Sequence, residues 1–140
     1  MKQLRTLCII IVLAGGAAAT LTCADVKVIA NPDVGAVSAT SAEIKAIFLE
    51  TKYALSDGSR VQPVILKGSA CEAFARIYLG KSARGLETYY RGLVFSGTGL
   101  IPKMLDSESE IIAYVARTKG AIGYVSSTTA TNGVKVLGVK

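Results

Sequence analysis

The stretch Gly68-Ser69-Ala70-Cys71, preceded by Lys67, follows directly on an apolar run and opens a helical pattern. Small residues at a helix start leave backbone N–H groups unscreened. Those donors, the positive dipole end and a hydroxyl can hold an anion without any dedicated base or metal. Ser96-Gly97-Thr98-Gly99 is a second cluster of small residues and hydroxyls with the same capacity. Candidate oxyanion-binding residues are therefore Gly68, Ser69, Ala70, Cys71, Ser96, Gly97 and Thr98, with Lys67 or Arg76 supplying charge at the rim. Cys71 falls in the first helical turn, where a thiolate is favoured. No base accompanies it, so a packing role is expected.

Other chemistry is poorly provided for. The chain has no histidine, which removes Ser-His-Asp and Cys-His hydrolysis and the His-bearing zinc sites. Gly80-Lys81-Ser82 has the ending of a phosphate-binding P-loop, but Ala75 stands where the first glycine belongs and a helix precedes it. Gly97-Thr98-Gly99 starts a dinucleotide fingerprint whose third glycine position is Pro102. Asp106, Glu108 and Glu110 lack the glycine of a calcium loop and suit a helix N-terminus instead. No catalytic residue, metal or cofactor is expected, and the chain reads as a non-enzymatic protein.

The elements that must position these groups begin after a processing segment. Lys2 and Arg5 precede an apolar run over residues 7–14, then small residues and Thr22-Cys23-Ala24, the build of a secretory signal peptide over residues 1–24. Cleavage leaves residues 25–140 with Cys71 as their single thiol, and 14 basic against 10 acidic residues, a net charge of +4. The whole-chain apolar fraction of 51% and mean hydropathy of +0.44 owe much to the leader. A periplasmic location follows. The charges are scattered, so no nucleic-acid partner is expected, nor membrane insertion once the leader is removed.

Residues 25–140 alternate strand and helix signals. VKVIA (26–30), VQPVIL (61–66), AIGYV (121–125) and VKVLGV (134–139) read as strands, with Pro63 confined to an edge or an unpaired position. Capping boxes are expected at Thr40/Glu43, Ser69/Glu72 and Ser107/Glu110. Phe74, Ile77 and Tyr78 share a helical face that Gly80 ends. Ser82 caps a helix with the stripe Leu86, Tyr89, Tyr90, Leu93 and Val94, followed by a loop from Phe95 to Gly99. Gly120 is expected to close the last helix. The order of elements indicates a single α/β domain, a mixed sheet with helices packed on it.

Ala42-Glu43-Ile44-Lys45-Ala46-Ile47-Phe48-Leu49, Ser56-Asp57-Gly58, a strand, Gly68-Ser69 and a helix carrying Phe74 resemble the substrate-binding proteins of phosphate ABC transporters. Leu93-Val94-Phe95-Ser96-Gly97 and Gly120-Ala121-Ile122-Gly123-Tyr124-Val125 resemble the later part of the same group. The similarity spans about residues 26–126 and points to a short, single-lobe type II periplasmic-binding-protein-like domain. The resemblance implies an exported protein that binds phosphate or a similar oxyanion and serves an ABC permease. Alternatively, it is a degenerate binding fold acting as a structural or interaction subunit with an envelope protein. By the same resemblance, Ala70 and Cys71 stand where full-length members carry Gly and Thr, and Glu50 where many carry Gly.

Overall fold

A computed structural model describes residues 26–140, so the leader expected over residues 1–24 lies outside the described residues. The order is β1 (Val26–Ala30), β2 (Ser38–Ala39), α1 (Ser41–Phe48), β3 (Gln62–Leu66), α2 (Ser69–Phe74) running into a π-helical stretch (Ala75–Leu79), α3 (Ala83–Ser96), β4 (Lys103–Leu105), α4 (Glu108–Arg117), β5 (Ala121–Ser126) and β6 (Lys135–Val139). The strands form one mixed sheet in the order β2-β6-β1-β5-β3-β4. β1 is antiparallel to both β5 and β6, whereas β3 is parallel to β5 and β4.

Two consecutive residues of β5 explain the layering. A Cβ on Gly123 would meet Ile111 and Val115 of α4. The ring of Tyr124 points to the other face, stacked on Phe74 of α2 at 4.0 Å and 6.0 Å from Phe48 of α1. Strand neighbours alternate faces, so α4 covers one side of the sheet and α1 and α2 the other. Residues 121–125 are accordingly all buried, and AIGYV reads as a continuous apolar run. The core gathers Ile29, Ile44, Ile47, Phe48, Phe74 and Tyr124. The fold is thus a single α/β domain, as the order of sequence signals implies.

Local signals hold where the chain geometry leaves them room. Thr40 caps α1 with the full reciprocal box to Glu43. At the end of α1, Glu50 adopts φ 60°, a left-handed conformation that glycine takes without strain. Pro63 pairs with Ile122, and since the Gln62 N–H donates to Gly120 O on the β5 side, the Pro63 nitrogen faces the β4 side. There β4 begins only opposite Val64, so the missing donor costs no ladder bond. Asn31, the buried polar residue of the described core, donates through Nδ2 to the Val115 and Ala116 carbonyls at the end of α4 and accepts from Asp33 N.

Several expectations are corrected. The second capping box does not form: Gly68 is the N-cap, at φ 94° and ψ −154°, and Ser69 is already helical. Glu72 reaches forward instead, accepting from Ala83 N at 2.8 Å. At the third box Ser107 caps Glu110 N, but the Glu110 carboxylate accepts from Asp106 N rather than from Ser107. The π-helical stretch buries Ala75 and Leu79 and turns Ile77 outward, to 53% exposure. α3 extends through Ser96, so Phe95 and Ser96 are helical rather than loop. Thr118 is the C-cap of α4, and Gly120, two residues on at φ 74°, serves a close approach: a Cβ there would lie 2.8 Å from Arg60 O.

Candidate oxyanion site

β3 leads the chain to Leu66, and two connecting residues, Lys67 and Gly68, turn it into α2. The Lys67 N–H donates to Leu105 O of β4, which fixes the start of the turn. Beyond it the backbone needs a positive φ, and Gly68 supplies it. Gly68 O then receives the N–H groups of Cys71 and Glu72, which withdraws Cys71 from the donors expected at this turn. The N–H groups of Ser69 and Ala70 stand at the open end of the helix, where helical geometry provides no acceptor and no side chain caps them. The Ser69 hydroxyl is exposed and makes no hydrogen bond among the described residues.

This turn borders a cleft of about 520 Å³ formed with the first turns of α3 and with β4. Ile65, Cys71, Leu86, Tyr90 and Met104 give it an apolar lining, and Lys67, Arg84 and Glu87 bring charge to it. Lys67 pairs with Asp106 at 3.4 Å, both largely exposed, which makes the contact weak and exchangeable. Arg84 is exposed and has no ion pair among the described residues. Arg76, the other expected rim cation, lies away from this cleft and pairs with Glu72 at 3.7 Å. Arg84, Tyr90 and Met104 were not expected at the site; the stripe on α3 placed Tyr90 on an inward face but could not say which strand it meets.

The acid–base groups around the cleft are quiet. Burial pushes the Cys71 thiol upward, with the neighbouring Tyr124 hydroxyl opposing the shift only in part. Its side chain is buried, so the packing role holds and the helix start does not yield a thiolate. Burial likewise drives the Tyr90 and Tyr124 phenols far above their ordinary value. Both hydroxyls are engaged, Tyr90 donating to Phe48 O and Tyr124 to Leu66 O at 2.6 Å. The N-terminus of α3, which also faces the cleft, is already neutralised by the Glu72 carboxylate. What remains for recognition is backbone N–H, one hydroxyl and two cations.

Ser96, Gly97 and Thr98 are not brought to this cleft. They lie at the far end of α3, about 20 Å from Ala83 at 1.5 Å per residue. Their groups are engaged locally: Ser96 Oγ donates to Gly92 O and meets Thr98 Oγ1, and the N–H groups of Gly97 and Thr98 donate to Val94 O and Leu93 O. Glu108 is similarly occupied, accepting from Ser126 N and Thr129 Oγ1. Among the described residues no cluster suited to a metal ion occurs, and no helix is long and apolar enough to cross a membrane.

The mixed sheet with helices on both faces can be set beside solved structures. No family model matches the sequence, and no curated protein matches it. The fold is that of phosphate ABC transporter substrate-binding proteins. A putative protein of this kind from Clostridium perfringens, solved with bound phosphate, superposes with a TM-score of 0.64 at 18% identity, over 81% of this chain and 44% of the other. An ABC-type phosphate transport receptor from Vibrio cholerae gives 0.55 at 13% identity, over 81% and 45%. PstS from Borrelia burgdorferi gives 0.56 at 14%, over 82% and 47%. The chain therefore spans a little under half the length of the structures it matches.

Proposed function

We propose that this protein is an exported, non-enzymatic binding protein that holds a small oxyanion such as phosphate at the turn between β3 and α2, in the service of an ABC permease. The observation that carries the reading is the set of unengaged donors at that turn: the N–H groups of Ser69 and Ala70 and the Ser69 hydroxyl, beside Lys67 and Arg84. The phosphate bound to the fold neighbour from Clostridium perfringens supports the ligand class. In this reading Ser69 donates its hydroxyl to one anion oxygen, the two N–H groups meet the others, and Lys67 leaves Asp106 to face the charge. Arg84 approaches from α3. The buried Cys71, which offers the turn no hydroxyl, favours a second reading, a degenerate binding fold that serves as a structural or interaction subunit with an envelope protein.

Isothermal titration with inorganic phosphate separates the two. Binding that weakens about tenfold in Ser69→Ala, the worth of one charge-assisted hydrogen bond, supports the anion site. No heat at millimolar phosphate, or equal affinity in the variant, removes it.

A further inference from the structure

Residues 92–102 carry no charged side chain and are bracketed by Arg91 and Lys103. Within them Phe95 is 97% exposed and Leu100 77%, with Val94 and Ile101 about half exposed. A ring exposed almost completely projects from the surface instead of lining a groove. Such a cluster is unusual on a protein that meets only water. The polar groups of the same turn are exposed but hydrogen-bonded within the helix end. The N–H groups of Gly97, Thr98 and Gly99 donate to carbonyls of the last turn of α3, and the Ser96 and Thr98 hydroxyls meet each other. A helix end closed in this way can enter an apolar medium without stranding those donors.

The flanks carry the opposite character. Arg91 lies one helical turn before Phe95 on the same face of α3, paired in the free protein with Glu87. Lys103 follows Ile101 by two residues, with its ammonium over the Tyr114 ring. Tyr53, more than half exposed, borders the same shallow depression as Leu100 and Ile101, and Glu50 is the one acid lining it. Projecting apolar side chains flanked by the cations Arg91 and Lys103 match the boundary between head groups and acyl chains of an anionic bilayer.

We propose that this tip docks on the surface of an anionic lipid bilayer, with Phe95, Leu100 and Ile101 entering the interface and Arg91 and Lys103 meeting head-group phosphates. A protein partner would have to receive the projecting Phe95 ring in a fitted pocket, whereas acyl chains take it without one. The contact is peripheral, not a span. It lies at the opposite end of α3 from the cleft at Gly68, so docking leaves that cleft open, and the inference stands whether or not the cleft binds an anion.

The chain has no tryptophan, so Phe95→Trp places a single fluorophore at the tip and reports on the tip whichever other segment reaches a vesicle. With vesicles of phosphatidylglycerol and phosphatidylcholine, the full chain carrying this substitution is expected to show blue-shifted emission, quenched by brominated acyl chains. Adding Leu100→Ser should weaken the response about tenfold, and Lys103→Glu should weaken it on anionic vesicles more than on pure phosphatidylcholine. Circular dichroism checks that each variant folds. Three results overturn the proposal: emission that stays water-like, a response indifferent to Leu100→Ser, or a blue shift that needs no vesicles and grows with protein concentration, which marks self-association.

Discussion

Alkaline titration offers a direct measure of how firmly Tyr90 and Tyr124 are built into the floor between the sheet and its helices. Burial holds both phenols neutral in the folded protein, far above their ordinary value of 10.0. In the unfolded chain they ionise near that value. Above about pH 10 the unfolded state therefore binds fewer protons than the folded state, and stability falls as pH rises. At pH 11 an unfolded phenol is about ten-to-one ionised, which favours unfolding by about 1.4 kcal/mol per tyrosine. The two together remove about 2.8 kcal/mol between pH 8 and pH 11, a large part of an ordinary domain's stability. Tyr124→Phe should cost about 1 kcal/mol at pH 8, because Leu66 O loses its donor. It should also reduce the pH 8 to pH 11 loss by about 1.4 kcal/mol, and Tyr90→Phe should do the same. Urea unfolding at the two pH values reads both numbers, and exposed groups cancel between wild type and variant. Identical losses in wild type and Tyr124→Phe would show that the phenol ionises freely in the folded state, and the argument from burial would fail.

Gly120→Ala is expected to destabilise the domain by about 3 kcal/mol, combining a left-handed backbone with a Cβ 2.8 Å from Arg60 O. A loss under about 1 kcal/mol in urea unfolding would mean that the strand contact gives way easily. Maleimide labelling of Cys71, read by peptide mapping, should run about a hundredfold slower in the folded protein than in urea, since the thiol is buried and its ionisation disfavoured. Equal rates would contradict the packing role.

The sequence discloses this fold best where a signal acts within a few residues. Thr40 and Glu43 close their box because both ends belong to one helix, and VKVIA reads as a strand from β-branching alone. Ser69 fails by one position: the turn out of β3 requires a positive φ, so Gly68 takes the capping place and Glu72 is released to bind Ala83 N. β2 is two residues long, held by β6, and two residues carry no periodicity to detect. The candidate site is half legible for the same reason. Gly68 to Cys71 are contiguous and announce themselves, whereas Arg84 and Tyr90 reach the cleft only through the packing of α3, a contact no local pattern encodes. Ser96 and Thr98 attract attention as hydroxyls, yet Ser96 ends α3 and bonds within it, and the αL turn at Gly97 brings Thr98 back against it.

The placement of β1 has a consequence for how the protein is made. Its two partners are β5 and β6, with Val28 opposite both Tyr124 and Leu137. A chain that emerges N-terminus first from the ribosome carries β1 with neither edge matched until β5, about ninety residues further along, arrives. The sheet cannot close in stages from the front. Pairing of β1 waits for β5 and β6, so the centre of the sheet depends on contacts distant in sequence.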